Sequence, residues 1–198
     1  MRRLLHLLAL CVATVGPLTG QVLFKPEPLI VPNEGQWPRT VLAMANLDAA
    51  RVWVLPDGLR FAARLEGESD SVAVWTEYYV GAQGGTLDLD PNSHPITYML
   101  GRGAEVTVCG ASQAWVRNVY PGVDLELRIE SGRLKTWWHG TDLSVLRIGF
   151  DGAEARRIPR TPTVLELETA AGSARMEAAK AFDAQDREVK VQWQQTPE

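Results

Sequence analysis

The stretch at residues 118–138, NVYPGVDLELRIESGRLKTWW, decides the fold class. From Val123 the chain alternates: Val123, Leu125, Leu127 and Ile129 fall on one side, Asp124, Glu126, Arg128 and Glu130 on the other. A period of two marks a strand with one face in the core and one in water, so the four charged residues are expected to be exposed. Tyr120-Pro121-Gly122 supplies the entry turn, because proline presets φ at the first turn position and glycine accepts the positive φ that follows. Ser131-Gly132 reverses the chain into a second strand over residues 133–138.

The same punctuation recurs in both directions. Short runs that read as strands lie at 41–45, 51–55, 59–65, 71–80, 86–89, 96–100, 105–109 and 113–119. Beyond the hairpin, others lie at 143–150, 153–158, 164–169 and 188–193. Pro56-Asp57-Gly58 joins two of them in a second hairpin. In the run at 71–80 both sides carry large groups, which predicts a strand covered on both faces. The alanine-rich residues 173–182 have helix propensity, but their position between strand-like runs favours strand or irregular structure. About a dozen short strands at turn-to-turn spacings of roughly 8–12 residues predict an all-β fold, a single-domain antiparallel β-sandwich.

The 198 residues are 45% hydrophobic and 22% charged, enough for one domain with its own core. Arg2 and Arg3, an apolar run over 4–15 and small residues at 19–20 read as a secretory signal peptide over residues 1–21. Residues 22–40 then form an extended proline-rich segment laid across the domain, residues 41–193 the β-sandwich, and residues 194–198 a tail. No run approaches the ~20 apolar residues that a membrane-spanning helix needs, so the chain is expected to be exported but not membrane-spanning. Removing Arg2 and Arg3 leaves 18 basic against 24 acidic residues, a charge of about −6, which argues against a nucleic-acid partner. Cys109 would then be the lone cysteine, read as a small buried hydrophobe in its strand.

Groups that carry chemistry are sparse. His94 and His139 fit no metal spacing and read as surface loop residues. Asp88, Asp90 and Asn92 resemble the first half of a calcium loop. Ser93 then stands at the sixth-position glycine and Met99 where the bidentate glutamate belongs, so a solvated turn is the reading. No nucleophile elbow or phosphate loop is present, and no cofactor is implied. Seven tryptophans stand out, above all Trp137 and Trp138, whose adjacent rings must lie on opposite faces of a strand. They are the candidate ligand-stacking residues, with core packing as the commoner role of each.

Four blocks carry a resemblance: NEGQWPRTVLAMANLDAARVWVLPDGLRF, ITYMLG, NVYPGVDLELR and VLELETAAG. Together they resemble a β-rich domain of unknown function found at the N-terminus of exported bacterial proteins. Those proteins include ones that carry SBBP (β-propeller) repeats and ones with gliding-motility-associated or type IX secretion sorting domains. The matching motif positions are Asn33, Gly35, Gln36 and Trp37, then Asp57 and Gly58, then Tyr98 and Gly101, and finally Tyr120, Pro121, Gly122, Asp124 and Leu125. Thr97 departs from the asparagine usual before Tyr98. The resemblance implies export and a β fold and brings no catalytic residues. It suggests a non-catalytic secreted or periplasmic structural, adhesion or assembly module of the cell envelope, with envelope proteins or glycans as partners. The alternative is a carbohydrate-binding module or glycan-active enzyme using exposed tryptophan and carboxylates. Asp124, directly after the turn, is expected to cap backbone amides rather than face a ligand.

Overall fold

The computed structural model describes residues 27–64, 71–101, 103–158, 161–176, 180–190 and 193–194. The predicted signal peptide, the first residues of the proline-rich segment, the loop at 66–70, residues 177–179 and most of the tail lie outside them. Every regular element among the described residues is a strand. In order they are β1 (Ile30–Pro32), β2 (Ala43–Asn46), β3 (Ala50–Leu55), β4 (Gly58–Arg64), β5 (Val72–Tyr79) and β6 (Thr86–Asp88). Then follow β7 (Ile96–Gly101), β8 (Ala104–Val108), β9 (Gln113–Tyr120), β10 (Val123–Glu130) and β11 (Arg133–Gly140). The last six are β12 (Ile148–Asp151), β13 (Glu154–Ile158), β14 (Thr161–Thr169), β15 (Gly172–Met176), β16 (Ala181–Phe182) and β17 (Glu188–Val189).

All pairings are antiparallel, so the fold is the all-β, sandwich-like single domain that the alternation predicts. A six-stranded sheet in the order β1-β2-β3-β4-β5-β12 faces a four-stranded sheet in the order β11-β10-β9-β6. Ile30, Ala45, Val52, Val54 and Leu59 from the first meet Val116, Tyr120, Val123, Leu125 and Leu127 from the second, all buried. The three-stranded sheet β13-β14-β15 adds a second cluster, in which Leu167 packs with Ala63, Ala73 and Trp75. There the Trp75 ring stacks on Phe61, centroids 4.9 Å apart and planes within 6°.

The central meander β9–β10–β11 follows from its turns. Gly122 sits at φ 70° after Pro121, and Ser131 and Gly132 at 50° and 74° form the two-residue hairpin whose twist matches paired strands. With Glu130 opposite Arg133, the two-residue loop dictates the β10–β11 register, Leu125 against Trp138 and Glu126 against Trp137.

Several expectations are corrected. The proline-rich segment does not merely cross the domain, because Ile30–Pro32 joins the six-stranded sheet as its edge. The strand predicted at 143–150 begins only at Ile148: the Asp142 carboxylate accepts the Ser144 amide and Leu146 bonds back to Leu143, making a turn instead. The strand β5 is not covered on both sides, since Val72, Val74, Tyr78 and Val80 are exposed while Ala73, Trp75, Glu77 and Tyr79 are buried. Cys109 falls just beyond its strand and is half-buried. His139 belongs to β11, not to a loop.

Candidate functional site: the outer face of the four-stranded sheet

The family-motif residues are taken up by the backbone. Asn33 donates from Nδ2 to the carbonyls of Trp37, Pro38 and Val41, and its Oδ1 accepts the Gly35 and Trp37 amides. Gln36 donates to the Pro32 carbonyl, and Trp37 meets Tyr98 edge-on at 5.5 Å. These residues fold the entry loop, where Pro32, Asn33, Gly35 and Trp37 line a groove of about 470 Å³. The Asp57 carbonyl accepts the Tyr79 amide, and Gly58 lies so close to β5 that a Cβ would stand 2.3 Å from the Glu77 carbonyl oxygen. Gly101 holds a positive φ of 84° at the β7–β8 bend. The buried Tyr120 hydroxyl donates toward the Val80 and Arg147 carbonyls at 3.2 and 3.3 Å, and Leu125 is core.

Asp124 closes a bulge. Between the pairs Tyr120–Val123 and Val116–Leu125 the register shifts, leaving Asn118 at φ 54°. The Asp124 carboxylate accepts the Asn118 amide at 2.8 Å and Arg117 Nη1 at 2.9 Å. Burial would raise its pKa, but the amide and the guanidinium outweigh burial and hold the carboxyl below its ordinary value.

Antiparallel register then sets side chains in rows across the outer face. One row runs Asp88, Trp115, Glu126, Trp137 across all four strands; beside it Asp124 stands opposite His139, and Arg128 stands between Gln113 and Lys135. Glu126, expected in water, is 0% exposed. Its Oε1 accepts Gln113 Nε2 and Arg128 Nε, and its Oε2 lies 2.8 Å from His139 Nε2. Burial pushes the Glu126 pKa up, yet the Arg128 and His139 contacts prevail and keep it below the normal carboxylate value. Arg117 bridges Asp88 and Asp124 while its guanidinium stacks 4.1 Å from the Trp115 ring, whose other neighbour is His139 at 4.8 Å. Trp115 is therefore covered, while Trp137 remains 39% exposed.

The two proposed stacking residues thus separate. Trp138 turns inward against Tyr79 and Tyr120 at 4.8 and 6.2 Å; Trp137 alone faces out. The structure surrounds it with Glu126, Arg128 and His139, which the sequence alone assigns to the surface. One signal was available, because the two-residue turn at Ser131-Gly132 lets the cross-strand partners be counted off. At the suspected calcium loop, Asp88 is held by Arg117, and among the described residues no group of three or more His, Cys, Asp or Glu is placed to hold a metal. The Glu126 network is expected to contribute modestly: Glu126→Gln should lower the unfolding free energy by about 1 kcal/mol, because Arg128 and His139 stay hydrated. That contribution is present above the unfolded carboxylate pKa and lost as pH falls through the depressed folded value. Chemical denaturation at pH 7 checks it, and a loss above ~4 kcal/mol would mean that the face cannot adjust.

An antiparallel sandwich-like domain with a polar and aromatic outer sheet face is an all-β module. A family model for a domain of unknown function, DUF7948, matches residues 30–197, and the chain belongs to that family. Neither a curated protein nor a solved structure matches the chain.

Proposed function

We propose that this domain is a non-catalytic structural, adhesion or assembly module of the bacterial cell envelope, exported by the segment at residues 1–21. We place it in the context of proteins with SBBP repeats or with gliding-motility and type IX secretion domains. The observation that carries this reading is where the motif residues are spent. Asn33, Gln36, Tyr120 and Asp124 all bind backbone groups, so the most specific marks of the chain preserve a scaffold. Among the described residues no helix is long and apolar enough to cross a membrane. Export is tested by expressing the full chain and a version lacking residues 1–21 in a diderm bacterium and fractionating the cells. Mature protein beginning near Gln21, outside the cytoplasm and only from the full chain, is expected. Unprocessed cytoplasmic protein from both would remove the envelope assignment.

A second reading, carbohydrate binding, is favoured by the exposed Trp137 ring beside Arg128 and His139 on one sheet face. Such a surface offers a flat apolar plane with polar donors at its edge.

A further inference from the structure

Trp137 lies opposite Glu126 in the β10–β11 ladder, two residues along the same face from His139. The Arg128 guanidinium carbon is 5.9 Å from the Trp137 ring centroid. Arg128 is 43% exposed and His139 46%, yet each is tethered through one nitrogen to the buried Glu126. Arg128 uses Nε for this and His139 uses Nε2; neither Arg128 Nη nor His139 Nδ1 is hydrogen-bonded among the described residues. A carboxylate beneath the surface therefore orients two side chains while leaving their outer nitrogens for something else.

We propose that this face binds an acidic saccharide, with Trp137 stacking on a sugar ring and the two Arg128 Nη groups gripping the ring's carboxylate. The proposal rests on the carbohydrate-binding reading above and adds the ligand's charge. A guanidinium fork matches a carboxylate in two parallel hydrogen bonds, which an ammonium cannot do. The flat indole takes the apolar C–H face of a pyranose. Because Glu126 already holds the fork in place, less ordering entropy opposes binding. Nearby acids are largely neutralised: Glu126 by Arg128, Asp88 and Asp124 by Arg117. Glu130, two residues along the same face and opposite Arg133, also acts electrostatically on the Arg128 guanidinium.

The full chain is titrated calorimetrically with oligomers of galacturonic, glucuronic and mannuronic acid, with their methyl esters, and with acetate. At least one acid oligomer is expected to bind saturably, at least tenfold more tightly than its neutral ester, with no binding of acetate at the same concentration. Trp137→Ala should weaken binding at least tenfold with an unchanged thermal midpoint. Arg128→Lys, which keeps the charge and loses the fork, should erase most of the preference for acid over ester. Equal binding of acid and ester, abolished by Trp137→Ala, would overturn the acidic ligand and leave carbohydrate binding standing. No saturable binding of any oligomer, acid or ester, would overturn both.

Discussion

Leu125→Asp is expected to abolish cooperative folding. Leu125 is fully buried between Val116 of β9 and Trp138 of β11, and it faces the core shared with the six-stranded sheet. An aspartate there either ionises without a partner in an apolar interior or stays protonated with unmet hydrogen bonds. Both options cost several kcal/mol beyond the lost leucine contacts. Since whole domains are stable by only about 5–15 kcal/mol, a loss above ~5 kcal/mol leaves little folded protein. Leu127→Asp should behave alike, while Glu130→Gln, at an exposed position on the other face, should change stability by less than ~0.5 kcal/mol. Urea unfolding followed by tryptophan fluorescence measures all three. A Leu125→Asp protein that unfolds with the parental midpoint would show that the two faces of β10 are assigned the wrong way round.

The second large effect depends on pH. Glu77 is 7% exposed on the inner face of β5, between Trp75 and Tyr79 and opposite Leu59 and Phe150. Burial raises its pKa from 4.5 to about 7; the Trp75 indole N–H pulls the other way, although Nε1 completes no hydrogen bond among the described residues. In the unfolded chain Glu77 ionises near 4.5, so folding binds a proton between the two values. Stability is then greatest below pH 4.5 as far as this group is concerned, and it falls as pH rises through about 7. The full change is about 3 kcal/mol, from 1.36 kcal/mol for each factor of ten in proton affinity. Glu77→Gln removes the titration. It should therefore raise the unfolding free energy at pH 8 by about 2–3 kcal/mol and leave it little changed at pH 4.5. A parental and variant difference that is the same at both pH values would show that Glu77 is not buried as a neutral acid.

Much of the architecture was legible because its causes are local. Alternation at 123–130 places Leu125 and Leu127 inside, since a strand turns successive side chains to opposite faces. Turn chemistry at Pro121-Gly122 and Ser131-Gly132 set the meander. The strand expected over 143–150 forms only from Ile148, because a capped turn at Asp142 looks, in an apolar run, like the start of a strand. The face of β5 could not be told from its pattern, because Val72, Val74 and Tyr78 are as apolar as Ala73, Trp75 and Tyr79.

The candidate site divides along the same line. Opposition of Trp137 to Glu126 follows from a two-residue turn and is written in the chain, as is the separation of Trp137 from Trp138. By itself, then, the sequence determined an all-β antiparallel domain, its central hairpin and which side chains share a face. Only the tertiary structure decided how those faces are covered. Glu126 shares the polar side of its strand with Asp124 and Arg128, yet Gln113 from one neighbouring strand and His139 from the other close over it. Glu77 is buried because a second sheet packs over the face it shares with Leu59. Alternation assigns a side chain to a side, whereas burial depends on residues brought from elsewhere in the chain. At 118–138 that difference turned an expected row of solvated charges into an ordered face around one buried carboxylate.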